Sequence, residues 1–290
     1  MTLLVCHRDA AMVTLLADTR ISGGLGALTD MGPKIMSVPV VTAHGSEMPE
    51  PTARATFGFA YSGSTLAAMS TYALATTCLQ TLVTPETPRL PTVAAVVDLF
   101  ARLGERYIRE VHSLFDCFIV GPADDGGEPI AYSITARILD GHLTITPLEL
   151  DRTRRGLWAL GSGASAYMTF AQSRRGQWRT IVESVEAFIR SGMEPTVGGH
   201  LQSGRCDSEG FQPFMTLSVD PANGAVSAAL LGLSDEELGF VDGLDIGVQA
   251  LGPRSAFRPG AFARRPIEGQ DATYVGYWRS AEYEAEGGKN

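Results

Sequence analysis

The sequence lacks the features that mark several classes of protein. Its 290 residues include four cysteines and five histidines, scattered without a CxxC or Cys/His spacing. Neither a disulfide framework nor a metal site is therefore expected, and no motif indicates a cofactor. Lys and Arg number 23 against 32 Asp and Glu, for a net charge of −9, and they form no dense basic cluster. We therefore expect no nucleic-acid partner.

Long apolar runs are also missing, and no leader segment is expected. The longest apolar run, residues 64–83, is interrupted by Ser, Thr and Gln, which predicts a buried helix and not a membrane span. The N-terminus shows no basic segment followed by an apolar one, so no signal peptide is expected. With 44% hydrophobic and 19% charged residues, the chain is predicted to be a cytoplasmic globular protein with reduced thiols and no membrane partner.

The periodicity that is present alternates groups of strands with pairs of helices. Strands are predicted at residues 3–7, 12–17, 34–41, 56–62, 116–120, 130–139, 143–150 and 158–160, with a final hairpin of 214–219 and 225–231 joined by Asn223-Gly224. Helices are predicted at 64–82, 92–112, 164–174 and 178–190. Residues 42–55, which contain Pro49 and Pro51, are predicted to form an exposed insertion without regular structure.

This order of elements favours one architecture. Two sheets stacked between two helix layers would give every sheet face an apolar cover. We therefore predict an α+β fold, a four-layer αββα sandwich, over residues 1–232. Residues 233–290 are rich in Gly, Arg and acidic residues and contain three prolines. They are predicted to form a partly irregular C-terminal extension that is used in contacts between subunits.

The candidate chemistry begins at Thr2, which directly follows Met1. Removal of Met1 would expose a threonine with both a hydroxyl and a free amine. Such a residue can act as its own nucleophile and base, since the amine accepts the hydroxyl proton directly or through a water. Many proteins begin with Met-Thr, so the pair alone is weak evidence.

The residues that follow strengthen the hypothesis. Asp18 lies sixteen residues after Thr2 and Lys34 thirty-two after it. A Phe59–Gly63 segment and a Gly161-Ser162-Gly163-Ala164 segment come later. In this spacing and order the chain resembles the proteasome β-subunits and HslV-type peptidases, which are N-terminal-nucleophile hydrolases, and in particular a divergent bacterial proteasome-like branch. The resemblance covers about residues 2–231.

The resemblance implies a role for each residue. Thr2 would be the nucleophile, Lys34 would lower its proton affinity, and Asp18 would keep Lys34 charged and oriented. The amide of Gly63 would form the oxyanion hole, and Ser162 would hydrogen-bond the Thr2 amine. Each has a structural alternative: Asp18 and Lys34 as a salt bridge, Gly63 as a strand-to-helix turn, and Ser162 as a loop residue before a helix.

The resemblance also implies residues that contact the substrate. Arg20 and Ser22 would support the site and hold the substrate backbone, although both could be solvated loop residues. The pocket beside the scissile bond would be lined by Ile21, Gly32, Met36, Tyr61, Thr65 and Met69. Because this set is uncharged and Gly32 leaves it deep, it predicts a preference for medium or large apolar groups.

The sequence departs from the family pattern at one segment. The family has Asp-x-x-Ser-Gly-Gly after the fourth helix, whereas this chain has residues 194–199, Glu-Pro-Thr-Val-Gly-Gly. Glu194 could replace the aspartate, but Val197 cannot replace the serine as a hydrogen-bonding group. Divergent bacterial proteasome-like proteins relax this segment, so the departure indicates that branch.

The expected function is therefore a threonine-type peptidase that cleaves amide bonds through an acyl-enzyme in a self-compartmentalising homo-oligomer. Its substrates would be peptides or unfolded proteins, and the sequence does not indicate whether an ATPase partner exists. Two alternatives remain open: an amidase acting on a non-peptide amide, and a catalytically silent structural or assembly subunit.

Overall fold

The computed structural model describes residues 2–9, 11–23, 26–45, 50–84, 89–123, 126–153, 155–174, 176–178, 180–219, 226–238, 240–241 and 244–245. The chain divides into two compact units, Met1–Leu251 and Gly252–Asn290, and the second lies wholly outside the described residues. None of the described helices combines the length and the apolar character needed to cross a membrane.

The elements of the first unit, in chain order, combine helices with mainly antiparallel strands in an α+β fold. They are β1 (Leu4–Asp9), β2 (Met12–Asp18), β3 (Ile21–Gly23), β4 (Gly26–Thr29), β5 (Ile35–His44), β6 (Glu50–Gly63), α1 (Thr65–Leu79), β7 (Leu82–Thr84), α2 (Val93–Val111), β8 (Phe115–Gly121), β9 (Ile130–Leu139), β10 (His142–Glu149), β11 (Gly156–Leu160), α3 (Ala164–Ser173), α4 (Ile181–Ser191), β12 (Leu201–Asp207), β13 (Gly210–Val219), β14 (Val226–Leu230), β15 (Leu233–Ser234), α5 (Asp235–Leu238), β16 (Phe240–Val241) and β17 (Leu244–Asp245).

Two large sheets are formed by strands that are distant in sequence. The first has the order β11-β1-β2-β12-β13-β14-β15 and the second the order β10-β9-β8-β6-β5-β7. Every pairing in them is antiparallel except that of β5 with β7. The first sheet places β1 and β2 side by side next to β12, which brings the N-terminus against residues near 200.

Three apolar clusters show how the helices and sheets pack. One joins α1 and α2 to the second sheet and includes Phe59 and Phe100. Another joins α3 and α4 to the first sheet and includes Tyr167 and Phe188. A third contains residues of both sheets, such as Leu15 from β2 and Phe118 from β8. Helices therefore pack against each of the two large sheets, and residues of the two sheets also contact each other.

Capping residues mark the helix boundaries. Ser64 Oγ accepts a hydrogen bond from Ala67 N at the start of α1. Helix α4 ends at Ser191 and is followed by Gly192, which has the left-handed conformation with φ of 63°. The turn between β9 and β10 places Asp140 and Gly141 at positive φ, as a two-residue hairpin requires.

The prediction for residues 42–55 is wrong. Strand β5 continues to His44, and β6 begins at Glu50 and pairs with it along its length. Pro51 does not prevent this pairing, because it lies near the beginning of β6, and Pro49 lies outside the described residues. Residues 42–44 and 50–55 therefore lengthen the second sheet.

The sequence patterns also missed strands near the C-terminus. Strand β12 was not predicted, and β13 begins at Gly210 instead of residue 214. The predicted Asn223-Gly224 turn lies outside the described residues, although β13 and β14 pair as expected. Beyond residue 232, β15 pairs with β14, so the first sheet continues into the predicted extension.

Candidate active site

Thr2 lies two residues before the start of β1 and is 3% exposed. Its carbonyl accepts a hydrogen bond from Gly163 N at 3.3 Å. A Cβ atom at Gly161 would collide with this carbonyl oxygen, and Gly161 has φ of +90°, so only glycine suits the position. The Gly161–Gly163 segment, predicted to accompany Thr2, therefore packs directly against it.

The Asp18 carboxylate accepts hydrogen bonds from four groups. Oδ1 accepts from Leu3 N and from Lys34 Nζ, each at 2.9 Å. Oδ2 accepts from Arg20 N at 3.2 Å and from Gly198 N at 3.1 Å. The side chain is fully buried at the end of β2. The Asp18 carboxylate therefore holds together Leu3, Lys34 and Gly198, which lies in the segment before β12.

Lys34 is equally buried, with a side chain 1% exposed. Besides Asp18, its ammonium donates to the carbonyl of Arg20. Because Lys34 Nζ and Leu3 N contact the same carboxylate oxygen, the ammonium lies close to the backbone that carries Thr2. The structure thus brings together three of the predicted catalytic residues.

Burial disfavours the charged form of both members of this pair. It lowers the pKa of Lys34 and raises the pKa of Asp18, while the charge of each partner opposes the shift of the other. A lysine with a lowered pKa, held by a carboxylate in a dry site, can tune a nearby nucleophile. The same pair is also a buried salt bridge that joins the end of β2 to the residue before β5.

Gln202 holds the backbone of Lys34 and was not among the predicted site residues. Its side-chain oxygen accepts from Lys34 N at 2.9 Å and Ile35 N at 3.1 Å, and its Nε2 donates to Gly32 O at 2.7 Å. The residue is fully buried in β12. Because β12 was not predicted, no pattern linked residue 202 to residue 34.

Arg20 is held by charged and backbone contacts. Its guanidinium binds Asp30 through two hydrogen bonds, at 2.7 and 3.0 Å, and donates to Pro195 O at 3.2 Å. This geometry fixes the loop that follows β2 against the segment before β12. Ser22, which was predicted to hold the substrate backbone, has a buried hydroxyl that bonds to none of the described residues.

Gly63 occupies the junction between β6 and α1. It has φ of +98°, and a Cβ there would lie 2.7 Å from Leu114 O. Both observations require glycine and agree with a strand-to-helix turn. The predicted oxyanion role of its amide remains a prediction.

A hydroxyl network connects Ser162 to the segment that departs from the family pattern. Ser162 Oγ lies 3.0 Å from Thr196 Oγ1, which donates to Glu194 Oε1 at 2.7 Å. Val197 is 2% exposed and packs in the cluster with α3 and α4. Thr196, one position before Val197, is therefore the hydrogen-bonding residue of this segment.

The residues predicted to line the apolar pocket lie on β3, β5, β6 and α1, with Gly32 just before β5. The side chain of Ile21 lies against Gly32, so a Cβ at Gly32 would collide with it. Met36 and Tyr61 are buried in the cluster under α1 and α2, and Met69 packs against that cluster. Thr65 is half-buried in the first turn of α1. The preference for apolar groups remains a prediction.

No protein-family model matches the sequence, and no curated protein matches it. The chemistry proposed below rests instead on side-chain geometry, above all on the buried Lys34–Asp18 pair beside Thr2.

A cavity of about 400 Å³ adjoins the candidate residues. Both sheets and the start of α3 form its wall, which includes Gly63 and Ser162. The complete lining is Ser62, Gly63, Leu114, Phe115, Asp116, Arg137, Ala159, Leu160, Gly161, Ser162 and Ala164.

Proposed function

We propose that this protein is an N-terminal threonine hydrolase that cleaves amide bonds through an acyl-enzyme. The observation that carries the proposal is the sharing of one buried oxygen, Asp18 Oδ1, by Lys34 Nζ and by the amide of Leu3, the residue after Thr2. A buried ion pair is costly to maintain, and replacement by apolar residues is often neutral or stabilising. Its position beside a threonine that could become N-terminal supports a chemical role.

The mechanism begins with cleavage of the peptide bond before Thr2, which frees its amine. Thr2 Oγ1 then attacks the substrate carbonyl carbon, and the hydroxyl proton passes to the amine. The oxygen of the tetrahedral intermediate gains a negative charge, which the Gly63 amide and the Lys34 ammonium would stabilise. Collapse breaks the C–N bond as the leaving nitrogen takes the proton. Water then hydrolyses the ester and restores Thr2.

The hydroxyl network gives the Thr2 amine a supporting partner. Ser162 lies in the segment that packs on Thr2, and it is positioned through Thr196 by the carboxylate of Glu194. We assign these residues the role that the Asp and Ser fulfil in the family. This assignment favours an active enzyme over a catalytically silent subunit, because Thr196 provides a hydrogen-bonding hydroxyl although residue 197 is Val and not the Ser of the family pattern.

We also propose that the two sheets and their helices form the four-layer αββα sandwich of N-terminal-nucleophile hydrolases. The three apolar clusters, one between the sheets and one under each helix pair, support it. Assembly into a homo-oligomer that shelters the active sites, and action on peptides or unfolded proteins in the cytoplasm, follow from the same resemblance and are part of the proposal.

The test compares the wild type with Thr2→Ala and Thr2→Ser on a panel of fluorogenic peptides and simple amides. We expect turnover in the wild type, a loss of at least about a hundredfold in Thr2→Ala, and partial activity in Thr2→Ser. Turnover of simple amides alone would favour the amidase. Equal turnover in Thr2→Ala would overturn the proposal, and absence of turnover and of acylation in every variant would favour the silent subunit.

A further inference from the structure

The residues of the candidate site come from two different sheets. Thr2 precedes β1 and Asp18 ends β2, both in the first sheet, whereas Lys34 directly precedes β5 in the second sheet. The chemistry proposed for Thr2 depends on where the Lys34 ammonium lies, because the effect of a charge on a neighbouring group falls with distance. That chemistry therefore depends on the contacts that hold Lys34 against the first sheet.

Two side chains of the first sheet hold Lys34 at opposite ends. Asp18 Oδ1 accepts a hydrogen bond from Lys34 Nζ at 2.9 Å, and Gln202 Oε1 accepts one from Lys34 N at 2.9 Å. The two side chains come from neighbouring positions of the sheet, because Leu201, the residue before Gln202, pairs with Asp18 where β12 meets β2. The first sheet therefore fixes both the backbone and the ammonium of Lys34.

The carboxamide of Gln202 binds the bend before β5 with three hydrogen bonds. Its Oε1 accepts from Lys34 N and Ile35 N, and its Nε2 donates to Gly32 O at 2.7 Å. Consecutive N–H groups point to one acceptor only where the backbone leaves the extended form. A carboxylate has no donor for the Gly32 carbonyl, and an ammonium has no acceptor for the two N–H groups. The contacts at this bend therefore require a carboxamide.

Gln202 is fully buried where the two sheets approach each other. Two residues further along β12, a Cβ at Gly204 would lie 3.2 Å from the side chain of Ile35. A residue that served only packing would be apolar on this face, as Cys206 is. Loss of the carboxamide would leave two buried N–H groups of the bend without their acceptor, which is costly. The path of the chain into Lys34 therefore depends on this side chain.

We propose that Gln202 is a positioning residue that holds the Lys34 ammonium in place beside Thr2. It acts through the backbone of Lys34 and does not touch the reacting atoms. The inference deepens the proposed function and rests on it. Without Gln202 the ammonium still binds Asp18, but the backbone of Lys34 loses its link to the first sheet. A displacement of about 1 Å in a catalytic site can cost about a hundredfold in rate.

The experiment compares the wild type with Gln202→Met, Gln202→Asn and the control Ser203→Ala. Met has the length of Gln without its polar group, and Asn keeps the carboxamide on a side chain that is one methylene shorter. Ser203 is the next residue of β12 and points to the opposite face of the sheet. It is also buried, and its hydroxyl donates to Phe214 O at 3.1 Å. Urea unfolding measures the stability that each variant loses.

The first readout is the rate at which a β-lactone acylates Thr2, followed by intact mass as a function of pH. At neutral pH we expect Gln202→Met to slow acylation by about ten- to a hundredfold, and Gln202→Asn to slow it less. A nearby ammonium disfavours protonation of the Thr2 amine, so its displacement should move the half-maximal pH upward. The other charged groups around the site are the same in every variant: Asp18, Arg20, Asp30 and Glu194.

The control separates positioning from stability. Ser203→Ala should lower the urea midpoint, because it removes a buried hydrogen bond, but it should keep the acylation rate and the half-maximal pH of the wild type. If Gln202 contributed only to stability, its variants would behave in the same way. A half-maximal pH that rises in the Gln202 variants alone therefore supports the inference.

Amide hydrogen exchange tests the link without any chemistry at Thr2. The N–H groups of Lys34 and Ile35 should be protected in the wild type and in Ser203→Ala, and they should exchange at least about tenfold faster in both Gln202 variants. Equal protection in all four proteins would overturn the inference, because the backbone of Lys34 would then be fixed without Gln202.

The outcomes distinguish the inference from the proposed function. Acylation of Thr2 with the wild-type rate and half-maximal pH in folded Gln202 variants would overturn the inference alone. Equal slowing in Ser203→Ala, without a change of the half-maximal pH in any variant, would do the same. If Gln202→Met does not fold, Gln202→Asn decides by the same readouts. Absence of acylation at Thr2 in the wild type would overturn the proposed function, and the inference with it.

Discussion

Replacing Lys34 by Met tests whether the buried pair is coupled as the structure indicates. Met keeps the length of the side chain but removes the ammonium, which leaves the Asp18 carboxylate buried with three backbone donors. Removing one member of a buried pair typically costs about 3–5 kcal/mol. Because three N–H donors still bind the carboxylate, we expect Lys34→Met to lower the free energy of unfolding by about 3 kcal/mol. This is a large share of a typical free energy of unfolding. Lys34 is therefore expected to contribute strongly to the stability of the fold.

The assay is urea unfolding followed by tryptophan fluorescence, at neutral and acidic pH. Arg106→Met is the matched control, because Arg106 pairs with Glu110 at 3.2 Å with both side chains more than half exposed, and its loss should cost less than about 1 kcal/mol. Burial raises the pKa of Asp18, and the loss of Lys34 removes the cation that opposes this. A carboxyl group whose pKa is raised on folding destabilises the folded state only at pH values above the pKa that it has in the unfolded chain. The loss of stability in Lys34→Met should therefore become smaller as the pH falls to about 4.

A free energy of unfolding for Lys34→Met within about 1 kcal/mol of the wild type at pH 7 would refute the reasoning, as would a deficit that grows at acidic pH. Activity supplies the second result. Acylation of Thr2 should be lost in Lys34→Met, whereas wild-type turnover would show that the pair is structural only.

Three further perturbations have definite outcomes. Gly63→Ala should lower the urea midpoint and abolish turnover, because its positive φ and the 2.7 Å approach to Leu114 O leave no room for Cβ, and a normal midpoint would contradict this. Thr196→Val should reduce kcat about tenfold while changing the free energy of unfolding by less than about 1 kcal/mol, since it removes a half-buried hydroxyl that links Ser162 to Glu194. Among the cysteines, half-buried Cys78 should react with a thiol reagent in the native protein, whereas Cys6, whose pKa burial raises to about 12, should react only after unfolding.

The parts of the fold that could be predicted are those with a local cause. Ser64, Thr92 and Gly192 are capping residues with short-range hydrogen bonds or a left-handed backbone, and all three lie at helix ends. Strand β9 has its predicted bounds, residues 130–139, because a tight turn follows it.

The missed elements depend on partners distant in sequence. Strand β12 contains Gln202, Ser203 and Arg205, whose polarity hides a strand in the centre of a sheet. Strand β12 pairs with β2 on one side and with β13 on the other. The side-chain amide of Gln202 donates a hydrogen bond to the carbonyl of Gly32, close to Lys34. Residues 42–55 were mistaken for an insertion because exposed hairpin strands have little apolar periodicity.

In the candidate site, too, some residues could be predicted from the sequence, whereas others depend on contacts between distant segments. Spacing and resemblance named Thr2, Asp18 and Lys34, which the structure brings together. They could not name Thr196, which is one residue from the expected position, or the buried hydroxyl of Ser62, which has no hydrogen-bond partner among the described residues. The position of Thr196 depends on the path of the chain before β12. The burial of the Ser62 hydroxyl depends on how closely the two sheets approach each other.

Intact-mass spectrometry of the native protein after reaction with a β-lactone, which acylates an activated hydroxyl, tests the central claim most directly. The account predicts that the active protein begins at Thr2, that it gains a single acyl group, and that fragmentation places this group on Thr2. It predicts no such adduct in Lys34→Met. Full activity in protein that retains Met1, or an adduct on another residue, would contradict the account.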